Sequence, residues 1–308
     1  SFPVGHYLPK YFTTPMMERL KADPAAKGLE FEYYPAEQLG KAKDMLSLTQ
    51  SGLVDIAYVG PGFVSDKMPL SVVAELPLPY TGSCQATLAY WSLAKPGGLL
   101  DKKEFAPNGV RLLFTIVLPP YQVITRKPFS TLADIEGMKI RASGSAKELL
   151  LKKLKAVPVL MPTPEVYESL SRGTIDGVLF PFNSLAPYEI DKLSKTGTIG
   201  SNFGSYVANW VISEKRYQSL PPALQKDLSA MGDELTHSVC KKVEQDEAGD
   251  IEKTRAAGVK LTPLSPADAQ TLHRVAAEVA TEWAQNLDRR GKSGTEVLSA
   301  FKAGLEAK

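Results

Sequence analysis

The stretch DIEGMKIRASGSAKELLLKKLKAVPVLMPTPEVYESLSRGTIDGVLFPF, residues 134–182, decides the fold. It opens with a predicted strand over residues 138–142, which carries Arg141 among short apolar side chains and stops at Ser143-Gly144-Ser145. A helix follows, because Ala146, Leu149, Leu150 and Leu154 recur at intervals of three and four and share one face. Arg141 therefore stands at the carboxyl end of a strand, where open α/β sheets bind ligands. The free amides at the start of the next helix favour an anion at the same place. A guanidinium there suits a carboxylate, since it offers a planar fork of donors and stays charged at every working pH. The local sequence is equally compatible with an arginine paired to a nearby Asp or Glu, or simply solvated.

The rest of the stretch continues the alternation. Residues 157–161 read as a strand, Thr163-Pro164-Glu165 starts a helix with Pro in its first turn, Gly173 ends it, and residues 175–180 form the next strand. The same plan occurs earlier. Residues 29–34 alternate Phe31 and Tyr33 with Glu30 and Glu32, a helix carries Ala42, Met45, Leu46 and Leu48, and residues 54–59 form a strand closed by Gly60-Pro61-Gly62. Gly52 and Gly173 suit helix C-terminal caps in the left-handed conformation. Asp55 and Asp176 follow at the same spacing and read as structural, bonding backbone at a strand entry.

Two similar α/β lobes follow from this duplication. Leu118-Pro119-Pro120 marks a crossing between them. Beyond Pro221-Pro222, Leu224, Leu228, Met231, Leu235, Val239 and Val243 repeat at helical spacing, and the pattern fades by Gly258. A helix of that length spans roughly 45–50 Å at 1.5 Å per residue, more than one lobe needs, and so reads as a spine across both. Ser265 with Asp268 forms a capping signature. Leu272, Val275, Val279, Trp283 and Leu287 then line one face of a helix, and a short helix near residues 296–305 closes the chain. The expected division places residues 1–119 and 207–250 in lobe I, and residues 120–206 and 251–308 in lobe II, with the ligand cleft between them. The fold class is α/β, a two-lobed clamshell with a long helix spanning both lobes. Such crevices favour small-molecule sites and hinge closure.

Composition narrows the function. The 308 residues carry a net charge of +2 without long runs of either sign, which gives no support to a nucleic-acid partner. No apolar run approaches the roughly 20 residues that span a bilayer. The opening SFPVGHYLPK is not a signal peptide; one that preceded it would have been removed. Cys84 and Cys240 form no metal motif and are compatible with either a disulfide or two separate buried thiols. His6, His237 and His273 share no metal-ligand spacing. Phosphate-loop, dinucleotide, zinc and nucleophile-elbow motifs are all missing. A non-enzyme without cofactor or metal is the expectation.

Six segments carry a family resemblance: PAEQLGKAKDML, SGLVDIAYV, VVAELPLPY, TLADIEGMKIRAS, VPVLMPTPEVYESLSRGTIDG and ISEKRYQSLP. In this order the chain resembles, over residues 32–220, the substrate-binding proteins of TRAP (tripartite ATP-independent periplasmic) transporters, of the C4-dicarboxylate-receptor type. The resemblance implies a periplasmic, monomeric receptor that hands a small organic acid to TRAP membrane subunits. It also implies that Arg141 binds the ligand carboxylate through two bonds. Some members place a second arginine where this chain has Tyr121, an asparagine where it has Phe180, and a glutamate where it has Gly60. The implied pocket has exchanged polar groups for aromatic ones, with Tyr58, Phe63 and Phe203 as further candidates for its wall. Thr163 offers a hydroxyl, His6 stands near a contact position of relatives, and Lys41 aligns with another or is solvated. An apolar wall beside a carboxylate anchor suits an acid with a hydrophobic or aromatic body. An enzyme acting on a small carboxylate in the same cleft, or a ligand-sensing subunit of a signalling system, are the rival readings. Members also open with a strand ahead of the segment matching residues 3–8.

Overall fold

The computed structural model describes residues 2, 6–80 and 82–307. Residues 3–5, where the family's opening segment would be matched, lie outside the described residues. In chain order the strands are β1 Ile56–Val59, β2 Val110–Val117, β3 Gln122–Thr125, β4 Lys139–Ala142, β5 Val157–Leu160, β6 Gly177–Phe180, β7 Thr196–Thr198, β8 Val207–Ser213 and β9 Lys260–Thr262. They form two sheets, one ordered β1-β8-β2 and one ordered β5-β4-β6-β3-β7-β9. The first sheet is antiparallel throughout. In the second, β4 runs parallel to both β5 and β6, and β3 runs antiparallel to β6. Strand β7 was not foreseen, since three residues with a central glycine leave no periodic pattern to read.

The expected spine is present. Helix Pro222–Ala256 packs on β2 and on helix Ser83–Ala94 at one end. It passes Phe182–Leu185 and delivers the chain to β9 of the second sheet. Gly232 lets it approach β2 closely, because a side chain there would collide with the Leu113 carbonyl. A disulfide joins Cys84 to Cys240, tying helix Ser83–Ala94 to the spine across 156 residues of sequence, with Cα atoms 4.8 Å apart. The sequence left that pairing open.

Two crossings connect the sheets side by side. Leu118 N–H donates to Tyr206 O at 2.9 Å, Tyr121 N–H to Gly204 O at 2.8 Å and Phe203 N–H to Tyr121 O at 3.1 Å. The proline segment thus lies where a lobe crossing was expected. The core divides likewise: a large cluster wraps the first sheet and one face of the second, and a smaller one around Ile124, Val166, Val178 and Leu185 covers the other face.

Three expectations need correction. Residues 29–34 alternate as a strand should, yet they run beside a groove of about 640 Å³ next to edge strand β1 and join no ladder among the described residues. Alternation marks a half-buried extended chain, but only a partner makes a strand. Residues 251–308 do not all stay with the second sheet. Helix Pro266–Arg289 packs on Ser145–Lys153, whereas Gly294–Glu306 returns to Ser83–Ala94, with Gly304 against Ala89. Asp176 accepts from Lys139 N–H at 2.9 Å, as a strand-entry aspartate should, but the Asp55 carboxylate pairs with Arg216 at 3.3 Å.

Candidate functional site

Strand periodicity positions the site. Arg141 pairs in register with Val178, and Phe180 follows two residues later on β6, so all three share one sheet face. The Arg141 guanidinium is 1% exposed and lies 5.2 Å from the Phe180 ring. Its Nε donates to Met161 O at 3.1 Å and its Nη2 to Thr163 Oγ1 at 3.0 Å. Among the described residues no acidic side chain pairs with it. Burial draws its pKa down from the ordinary arginine value, yet an arginine remains protonated in a protein. It is neither solvated nor ion-paired, so both alternatives left open by the sequence fail.

A glycine turn follows β4, and its first residue, Ser143, lines the cavity. Gly144 starts helix Ser145–Lys153 at φ +149° without a capping side chain, so the first amides of the helix keep their donors. A side chain at Gly144 would meet the Glu75 carboxylate at 3.0 Å and Gly62 Cα at 3.4 Å, because the two lobes touch here. The buried Ser143 hydroxyl, a neighbour of the Tyr121 side chain, makes no hydrogen bond of good geometry among the described residues. A buried polar atom of that kind is costly unless something binds it.

The remaining wall is mainly aromatic, comes from both sheets and also includes Glu37. Tyr58, Phe63, Tyr121 and Phe180, all expected, line the cavity together with Tyr188 and Tyr206, and the space they enclose is about 30 Å³. Tyr58 donates to the Tyr206 hydroxyl, and Phe63 sits 5.8 Å from the Tyr206 ring. Gly60 has a spatial reason: the Tyr206 hydroxyl occupies the place a side chain would need. The space beside residue 60 is thus filled by a tyrosine arriving from the other crossing.

His6 is also in the wall, 1% exposed. Burial pulls its pKa down to about 3, so the ring is neutral. Its Nδ1 accepts from Leu8 N–H at 3.2 Å, which assigns the proton to Nε2, 3.4 Å from Ser184 Oγ. Behind the wall, Lys147 and Glu75 form an ion pair with neither side chain exposed. Burial pushes the Glu75 carboxyl up and the Lys147 ammonium down, while each partner pulls the other back.

Thr163 lines the cavity and holds Arg141. Phe203 does not belong there: it is fully buried in the larger core, and its amide serves the crossing. Lys41 is exposed and pairs with Glu37 at 3.5 Å. Sequence reasoning missed Tyr188, Tyr206, Ser143 and Ser184. Tyr206 opens the YVANWVIS strand and Ser143 follows Arg141, so both carried a positional signal. Tyr188 and Ser184 lie in a short, irregular helical segment that carried none.

Comparison with known proteins agrees with this architecture. The family "Bacterial extracellular solute-binding protein, family 7" (DctP) matches residues 6–286. The chain is 24% identical to the ectoine-binding periplasmic protein TeaA of Halomonas elongata over 281 residues, 90% of this chain and 81% of that protein. A TRAP solute-binding protein from Rhodoferax ferrireducens T118, solved with copurified benzoate, superposes with a TM-score of 0.88 at 24% identity, covering 99% of this chain and 95% of that one. One from Bordetella bronchiseptica, solved with (R)- and (S)-mandelate, gives 0.87 at 23% identity, covering 99% and 96%. The chain belongs to family 7 of the bacterial extracellular solute-binding proteins, with the TRAP-receptor clamshell.

Proposed function

We propose that this receptor captures a small monocarboxylate with an apolar or aromatic body outside the inner membrane and delivers it to TRAP membrane subunits. The observation that carries the reading is the buried Arg141 cation, which has no acidic partner among the described residues and faces an aromatic wall. Glu75 and Lys147 cancel one another, and Glu37 in the wall pairs with Lys41, which leaves Arg141 as the cation available to one ligand carboxylate. A second carboxylate would enter an aromatic enclosure without a cation of its own, at a large desolvation cost. Relatives solved with benzoate and with mandelate support the same class. The receptor works as a monomer, binding shifts an open–closed equilibrium, and the closed form is what the permease recognises. It catalyses no reaction.

A thermal-shift screen of aromatic monocarboxylates, aliphatic hydroxy and keto acids, dicarboxylates and sugar acids tests this. A ligand at 100 times its dissociation constant adds about 2.7 kcal/mol of stability. Monocarboxylates should respond; a response confined to dicarboxylates or sugar acids would overturn the reading. Recovery of the ligand chemically unchanged, by mass spectrometry, separates a receptor from an enzyme.

A further inference from the structure

We propose that Tyr188 and His6 form a second, neutral polar subsite in this cavity, which takes a hydroxyl group on the body of the bound acid. This rests on Arg141 as the carboxylate anchor.

The Tyr188 hydroxyl is buried, lines the cavity and has no hydrogen-bond partner among the described residues. Its ring stands edge-on to Phe180, with centroids 6.0 Å apart and planes at 90°, and lies 5.7 Å from the His6 ring. Phe180 in turn faces Arg141. Contacts thus run from Arg141 through Phe180 to Tyr188 and His6 along the wall, and the Tyr188 phenol also feels the Arg141 charge. Burial raises the Tyr188 pKa, which keeps the phenol protonated.

His6 supplies the complementary half. Its Nδ1 is occupied by Leu8 N–H, so Nε2 carries a proton toward the cavity. The nearest acceptor, Ser184 Oγ, is 3.4 Å away, at the weak end of hydrogen bonding. Ser184 itself donates to Asn183 Oδ1 at 3.1 Å and so has no proton to return. The cavity thus holds one poorly used donor and one hydroxyl with both functions unmet. Such groups cost stability when buried and are satisfied by a ligand of matching polarity.

A ligand hydroxyl matches both, since it accepts from His6 Nε2–H and exchanges a bond with Tyr188. A methoxy group could accept but not donate. A second carboxylate would meet a neutral histidine and no cation.

The test is calorimetry with paired acids: phenylacetate against 3- and 4-hydroxyphenylacetate and the corresponding methoxy acids, and butyrate against 3- and 4-hydroxybutyrate. Wild type should bind at least one hydroxylated acid tenfold or more tighter than its parent, with the methoxy acid weaker. Tyr188→Phe should bring that ratio close to one. His6→Phe, a second variant, should do the same. A wild-type ratio at or below one, a ratio unchanged in both folded variants, or no binding of any pair overturns the proposal. Arg141→Met separates the two readings. If the anchor is right, it weakens parent and hydroxylated acids alike. If it leaves both intact, the anchor reading has failed, whereas a lost ratio in Tyr188→Phe with Arg141 essential bears on the subsite alone.

Discussion

Lys147 Nζ lies 2.9 Å from Glu75 Oε2, and neither side chain is exposed to solvent. Lys147 belongs to the helix after β4, whereas Glu75 ends the segment Leu70–Glu75 that packs beside the first sheet. Lys147 also donates to Ser205 O in a crossing, and Glu75 accepts from Gly62 N–H at 3.2 Å. The pair therefore fastens the two lobes at the floor of the cleft. Removing one partner leaves a buried charge, and Glu75→Ala should cost about 3–5 kcal/mol. The double replacement Glu75→Leu with Lys147→Met should cost far less. Urea unfolding of the three proteins measures this; equal losses in single and double variants would refute the pairing argument.

Arg141 gives the opposite balance between stability and function. Its charge is buried without an acidic partner among the described residues, so removing it relieves desolvation while losing the bonds to Met161 O and Thr163. Arg141→Met should leave unfolding stability within about 2 kcal/mol of wild type, since hydrogen bonds to charged groups and the burial of an unpaired charge are of similar size. Ligand affinity should fall by roughly 2–5 kcal/mol, about thirtyfold or more. Calorimetry and urea unfolding on the same preparation check both halves.

His6 predicts a pH dependence. Its folded pKa, about 3, lies below the ordinary value of 6.5. Between these values the unfolded chain holds a proton that the folded protein refuses. Stability from this group is therefore complete above pH 6.5 and is lost as pH falls toward 3. One proton is worth about 1.4 kcal/mol per pH unit, so from pH 6.5 to 5 wild type should lose about 2 kcal/mol more than His6→Gln. Urea unfolding at both pH values measures the difference, and parallel losses would contradict it.

The Cys84–Cys240 disulfide closes a loop of 156 residues. Its reduction should cost roughly 2–5 kcal/mol, mostly by releasing the unfolded chain. Thermal melts with and without reductant should show the loss. Ligand binding should persist in the reduced, folded protein, because neither cysteine lines the cavity.

Gly60→Ala should disturb the wall through Tyr206, whose hydroxyl fills the space a methyl group would take. Displacing that ring breaks the Tyr58–Tyr206 hydrogen bond. The expected cost is about 1–3 kcal/mol, as for other overpacked sites, with weaker ligand binding. Pairing Gly60→Ala with Tyr206→Phe should recover part of the stability, and a failure to do so would locate the clash elsewhere.

The sequence by itself determined the repeating strand and helix plan, the spine, and the place of Arg141 at a strand end, because periodicity and end signals are local. Tyr121 and Phe180 were legible through the family resemblance rather than through periodicity. Residues 29–34 show where local reading stops: their alternation is real, but the ladder depends on a partner that sequence spacing does not name. Only the tertiary structure decided that Arg141 has no acidic partner among the described residues, that Cys84 meets Cys240, and that Phe203 sits in the core. It alone brought Tyr206 onto Gly60 and the Tyr188 hydroxyl into the cavity beside His6. The physical reason is the same in each case. Charge balance, burial and hydrogen-bond satisfaction depend on the distance between residues far apart in the chain, which the crossings and the spine establish only when both lobes fold together.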